Sequence, residues 1–168
     1  MTPKDKELLL KDLCARIPYE LVGKCEIDAS YDTSFDTKCQ THKFDAMIYG
    51  LKEDLLLVTP LIEDRDEQEF ANEEVADGVD ILDFKPYLFP LSSMPEGYWG
   101  DFYCKFVENE IIYNDFKKYY FDSGSWDKVL TTICDCGDVI DWFNKYHFDY
   151  RGLIEKGLAI DATGLNIY

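Results

Sequence analysis

The stretch KFDAMIY, residues 43–49, puts Phe44, Ala46 and Ile48 on one face. A hydrophobic period of two is the mark of a half-buried strand. Similar stretches flank it. Residues 20–28, ELVGKCEID, alternate with Leu21, Cys25 and Ile27 on one side, and Leu55 to Thr59 is a short apolar strand. Gly50 to Asp54 read as the turn between the last two. Residues 29–42, with Asp32, Ser34, Asp36 and Thr37, read as a polar loop. The three strands make an antiparallel hairpin or meander.

Before them, residues 2–17 form an amphipathic helix. Thr2 and Asp5 make a capping-box-like pair around Pro3, and Pro18 ends the helix. Leu10, Leu13, Cys14 and Ile17 share a face at i, i+3, i+4 and i+7. After them, residues 79–89 return to strand composition, and Pro86, which lacks a ladder donor, puts that strand at a sheet edge or ends it there.

The rest is helical. Ser93 and Glu96 form a capping box for a helix carrying Trp99, Phe102, Tyr103 and Phe106 on one face. Residues 109–121 lean to helix. Ser125 caps another helix with Trp126, Val129, Leu130 and Ile133. Asp138, after Gly137, caps a last one with a stripe of Val139, Trp142, Phe143 and Tyr146. The tail from Phe148 to Tyr168, with Gly152, Gly157 and Gly164, is expected to pack as an extended segment over the helices. Strands grouped before helices argue an α+β fold: one domain over residues 1–168, a small mostly antiparallel sheet, an N-terminal helix and a C-terminal group of helices. The expected core is Leu13, Ile17, Ile27, Phe44, Ile48, Leu56, Ile81, Trp99, Phe102, Leu130, Ile133, Trp142, Phe143 and Leu153.

Charge is unevenly placed. Of a net −17, residues 63–83, EDRDEQEFANEEVADGVDILD, hold ten acids against one base, a balance of −9. Phe70, Val75 and Ala76 are the tethers of this segment before Val79, so it reads as a solvated loop or a short exposed helix. Three roles stay open for it: a solubilising loop, a docking surface for a basic protein, or a phosphate-like decoy for a nucleic-acid-binding protein. The decoy needs rigidity, and Gly78 with the weak apolar stripe of 63–78 counts against a rigid helix. The candidate partner-binding residues are Glu63, Asp64, Asp66, Glu67, Glu69, Glu73, Glu74 and Asp77.

A sequence pI near 4.3 argues against direct contact with nucleic acid or anionic lipid. No apolar run reaches 18 residues, and MTPKDKELLLKDL lacks a signal peptide's apolar core, so a cytoplasmic protein with six thiols is expected. Aromatic residues reach 15%, twelve of them Tyr, which suits a core with a wet rim.

Catalytic patterns are scarce. His42 and His147 are the two histidines, and neither lies in a catalytic motif; His147, ending the last helix, is expected to satisfy its final carbonyls. Asp149 and Arg151 are expected to pin the following turn as an ion pair. Cys134 and Cys136 form a CxC element without the two further ligands, at finger-like spacing, that zinc needs. Asp28, Asp32 and Asp36 lack the register of a calcium loop. No metal and no cofactor is expected. With 34 acids, chance carboxylate pairs are common, so a small hydrolase stays an alternative.

KPYLFPLSSM (Lys85 to Met94) and IDWFNKYHFDYRGLIEKGLA (Ile140 to Ala159) resemble an uncharacterised family of small proteins common in gut bacteria, their phages and mobile elements. LLLKDLCARIPY near the start fits the same order. The shared motifs single out Ser93, Trp142, His147, Asp149 and Arg151 as structural markers. The chain departs from the family at Met94–Trp99 and at Ala162–Leu165. The resemblance implies a soluble intracellular protein and carries over no activity. The composite expectation is a non-enzymatic acidic protein that binds a protein partner with a basic surface.

Overall fold

A computed structural model describes residues 1–33, 36–53, 55–95, 97, 98, 101, 102 and 136–168; for 28–33, 36–40, 70, 74 and 136 it describes the backbone alone. The chain folds as α+β. Helix α1 (Pro3–Arg16) precedes strands β1 (Val22–Thr33), β2 (Asp36–Lys52) and β3 (Leu55–Pro60). Helix α2 (Arg65–Glu74) leads to β4 (Val79–Asp80) and β5 (Phe84–Pro90). Helix α3 (Cys136–Lys145) is followed by β6 (Phe148–Asp149) and β7 (Ile160–Asp161). The seven-stranded sheet runs β4-β3-β2-β1-β5-β6, with β7 also on β5. The pairs among β1 to β5 are antiparallel; β6 and β7 lie parallel to β5.

Local chemistry sets the ends of α1. Thr2 Oγ1 accepts from the Asp5 N–H, and the Asp5 carboxylate accepts from Thr2 N–H, so two orphan donors are satisfied reciprocally. The buried face is Leu9, Asp12, Leu13 and Arg16, not the expected Leu10, Leu13, Cys14 and Ile17; Leu10 and Ile17 are half-buried and Cys14 is exposed. The helix is turned by about one residue because a buried ion pair occupies two core positions.

The expected loop over 29–42 is a correction. β1 and β2 pair without interruption from Val22 opposite Met47 to Thr33 opposite Asp36. Tyr31, Thr33, Thr37 and Thr41 favour strands, but an arm polar on both faces shows no alternation to read. The turn expected at Gly50 begins later: β2 continues to Lys52 across a bulge between Ile48 and Gly50.

Pro86 is neither in an edge strand nor at the end of its own, which runs on to Pro90. β5 lies between β1 and the C-terminal strands, and Pro86 opposes Gly23 at the last β1 pair, just before β7 takes over at Tyr87. A residue without an N–H fits where the ladder changes partners. The tail likewise joins the sheet as β6 and β7 instead of lying over the helices; its three glycines do take positive φ. α3 starts at Cys136 and runs through Gly137, so Asp138 sits in the first turn rather than at the cap, where its charge still suits the helix dipole.

Among the described residues, three apolar clusters result. The largest joins Leu9 and Leu13 to Phe44, Ala46, Ile48, Leu56, Ala71, Val75, Ile81 and Leu153. An aromatic cluster unites Phe102, Trp142, Phe143 and Phe148 with Leu91 and Met94. On the sheet's other face Val22, Tyr87 and Ala162 gather Met47, Phe89, Ile160 and Ile167. Of the expected core, Ile27 is half-buried like Ile17, while Trp99, Leu130 and Ile133 lie outside the described residues with the helices expected over 109–121 and 125–133. No described helix is long and apolar enough to cross a membrane.

Candidate partner-binding surface

The acidic segment is a capped helix. Asp64 is the N-cap of α2; its Oδ1 accepts from the N–H groups of Asp66 and Glu67 at 3.0 and 3.1 Å. Gln68, Ala71 and Val75 form the inward stripe at i, i+3 and i+7: Gln68 is half-buried, Ala71 and Val75 fully so. Ala76, an expected tether, is exposed; the side chain of Phe70 lies outside the description. A buried Val side chain contributes about 1.5–3 kcal/mol, so the stripe anchors the helix to the sheet. The stripe is weakly apolar in the sequence because Gln68 and Ala71 are two of its three residues.

The outward residues are the acids. Glu63, Asp64, Asp66, Glu67, Glu69, Glu73 and Asp77 are exposed, and Glu74 ends the helix with its side chain outside the description. Asp66, Glu69 and Glu73 follow i, i+3 and i+7 spacing, one ridge. Arg65 reaches Glu69 only at 4.0 Å with both ends in water, which holds neither. Asp66 and Glu67 sit where the helix dipole favours negative charge; Glu73 and Glu74 sit where it does not, and no base occupies the last turn.

The five motif residues lie elsewhere: Trp142, His147, Asp149 and Arg151 around the α1–α3–β6 junction, and Ser93 just after β5. Ser93 ends a short 3₁₀ turn and its hydroxyl donates to the Pro90 carbonyl at 2.7 Å; Glu96, the other half of the expected capping box, lies outside the described residues. Trp142 packs edge-on to Phe102 and stacks on Phe148. His147 does not satisfy the helix carbonyls with its ring. It takes φ +56°, and its backbone N–H donates to Asn144 O at 3.2 Å. Its ring stacks on Tyr168 at 4.0 Å. Burial, reinforced by the Arg16 charge, lowers its pKa to about 4, against a backbone hydrogen bond at Tyr19.

Asp149 and Arg151 do not pair with each other. Asp149 accepts from the N–H groups of Leu153 and Ile154 at 2.9 and 2.8 Å, pinning the turn by itself. Arg151 turns to Asp12, whose Oδ1 it meets at 3.0 Å, and donates to Tyr150 Oη at 2.6 Å. Asp12 also holds Arg16. The Asp12, Arg16 and Arg151 cluster was hidden from pattern reading, although Asp12 and Arg16 stand at i+3 and i+7 from Leu9, where an apolar residue is expected.

Other reactive groups are arranged less tellingly. Burial, with the Asp83 and Asp45 charges, pushes the Cys25 thiol up to about 12, so it is an inert core thiol. On the sheet surface Asp45 Oδ1 accepts from Lys24 and from Tyr87 at 3.1 and 2.9 Å. Asp101, Asp138 and Asp141 line a cleft of about 490 Å³ with Tyr19, Trp142 and Lys145, but all three acids are exposed, so burial sets none apart as a general acid. No group of three metal-binding side chains occurs among the described residues; Cys134 and Cys104 lie outside them. Comparison with family models, curated proteins and solved structures finds no match to this chain.

Proposed function

We propose that this chain is an acidic accessory protein that binds a protein partner with a basic surface, and that α2 is its docking element. The observation that carries the reading is an anchored helix with its acids outward: a cap at Asp64 and an inward stripe ending in Ala71 and Val75 fix the direction of the ridge. Ten helical residues span about 15 Å. Five acids along them, less Arg65, give roughly one net charge per 4 Å, close to a single DNA strand at about 3.4 Å per phosphate. Lys- and Arg-lined clefts respond to such a field. The acids of the last turn support the reading too. Each is disfavoured by the helix dipole by about 0.3–1 kcal/mol, a cost that selection for stability alone would remove.

The capped, anchored helix favours one second reading. A fixed row of carboxylates suits a decoy that occupies the groove of a nucleic-acid-binding protein, a role consistent with the resemblance to proteins of phages and mobile elements. A pull-down at moderate salt tests both. The wild-type chain is expected to retain a partner that the variant carrying Asp66→Asn, Glu67→Gln, Glu69→Gln and Glu73→Gln releases. Equal retention by a folded variant contradicts both readings. Displacement of the partner by duplex DNA selects the decoy; indifference to DNA selects the general basic partner.

A further inference from the structure

The acidic helix borders a groove. Between α2 and the β1–β2 hairpin lies a cavity of about 470 Å³ with Ile27, Phe44, Ile62 and Ala71 on its apolar walls and Asp66 and Glu67 on its rim. His42 and Lys43 stand on the hairpin side. Lys43 pairs with Glu26 at 2.9 Å, and among the described residues neither rim acid takes part in an ion pair. Ile27 and Ile62 are half-buried, so they present apolar surface to the groove. A groove with an apolar floor and an anionic lip fits a ligand that is apolar at its tip and cationic beside it.

We infer that this groove takes an aliphatic anchor residue from a Lys- or Arg-rich segment of the partner. The inference rests on the docking role of α2 and adds the recognition element to it. Charge on the ridge draws a basic segment in and is tolerant of sequence; the groove selects among basic segments by what fills it. An anchor in a desolvated pocket, with charged pairs at the rim, is how a small interface gains specificity.

The test uses two synthetic probes of equal length and charge, a Lys/Leu peptide and a Lys/Ser peptide, titrated against the full chain by fluorescence anisotropy. The Lys/Leu probe is expected to bind at least tenfold tighter, and Ile62→Gln to remove that difference without weakening the Lys/Ser probe. Equal affinities for the two probes overturn the groove inference and leave the docking helix standing. Absence of binding to both overturns the two together. Amide and methyl shifts of the unmodified protein locate the Lys/Leu probe independently of any variant. Shifts gathered on Ile27, Ile62 and Ala71 support the groove; shifts gathered on the exposed Tyr49 and Leu51 of the opposite region overturn it.

Discussion

Arg16 and Asp12 form a two-pronged ion pair with no solvent exposure: Nε to Oδ2 is 2.7 Å and Nη2 to Oδ1 is 3.1 Å. The remaining guanidinium donors reach the carbonyls of Phe148 at 2.8 Å and Phe143 at 3.4 Å. Tyr150 stands under both Arg16 and Arg151. The first helix is thereby joined to the end of α3 and to β6, more than a hundred residues later in the chain.

Removing the shared carboxylate should cost more than removing a surface pair. Asp12→Ala leaves a buried guanidinium without a counter-charge and is expected to lower stability by about 3–5 kcal/mol. Lys6→Ala, which removes a half-exposed contact with Asp80 at 3.9 Å, should cost under about 1 kcal/mol. Urea midpoints of the two variants make the comparison.

His147 gives the fold a pH dependence of known sign. Its folded pKa, about 4, lies below the ordinary 6.5. Between those values the unfolded chain binds the proton and the folded one does not, so stability falls as pH drops from 6.5 toward 4 and changes no further from this group below that. The full effect is roughly 3 kcal/mol. His147→Asn, a residue that tolerates the left-handed backbone, should flatten the profile in that window relative to wild type. Parallel slopes from thermal unfolding at pH 4.5 and 7 would show that His147 does not carry it.

Gly23 sits where β5 crosses β1. A Cβ there would overlap the Phe84 ring and stand 2.5 Å from the Lys85 carbonyl oxygen. Neither is a flexible side-chain end: Phe84 is fully buried, and the carbonyl is main chain. Gly23→Ala should therefore cost about 3 kcal/mol, the upper end of overpacking, read from the denaturation midpoint.

The strands carrying Phe44, Ala46 and Ile48 and carrying Leu56 and Val58 were legible because one face is buried and the apolar residues alternate cleanly. The hairpin arm beyond Asp28 was not, since its strands carry polar residues on both faces and are held by main-chain pairing. Pro86 misled because β5 changes partners there, a tertiary fact. The capped helix at 65–74 was half legible: Asp64 before Asp66 and Glu67 is an N-cap signal, but Ala71 contributes little to an apolar count. Asp12 and Arg16 occupy core positions that pattern reading assigns to aliphatic residues, so the junction holding His147 and Arg151 was invisible from local sequence.

The cap of α2 offers a direct handle on the docking surface. Asp64→Ala leaves the N–H groups of Asp66 and Glu67 unpaired and should destabilise the helix by about 1 kcal/mol, whereas Asp64→Ser retains an acceptor and should cost little. Hydrogen exchange at residues 66–70 should quicken in the alanine variant alone, and binding of a basic partner should weaken with it.

The salt dependence of partner binding probes the acidic ridge most closely. Affinity of the captured partner should fall linearly on a log–log plot against salt concentration for the wild-type chain, and the slope should flatten when Asp66, Glu67, Glu69 and Glu73 become amides. An identical slope for the two proteins, with the neutralised one still folded, would mean that α2 takes no part in binding.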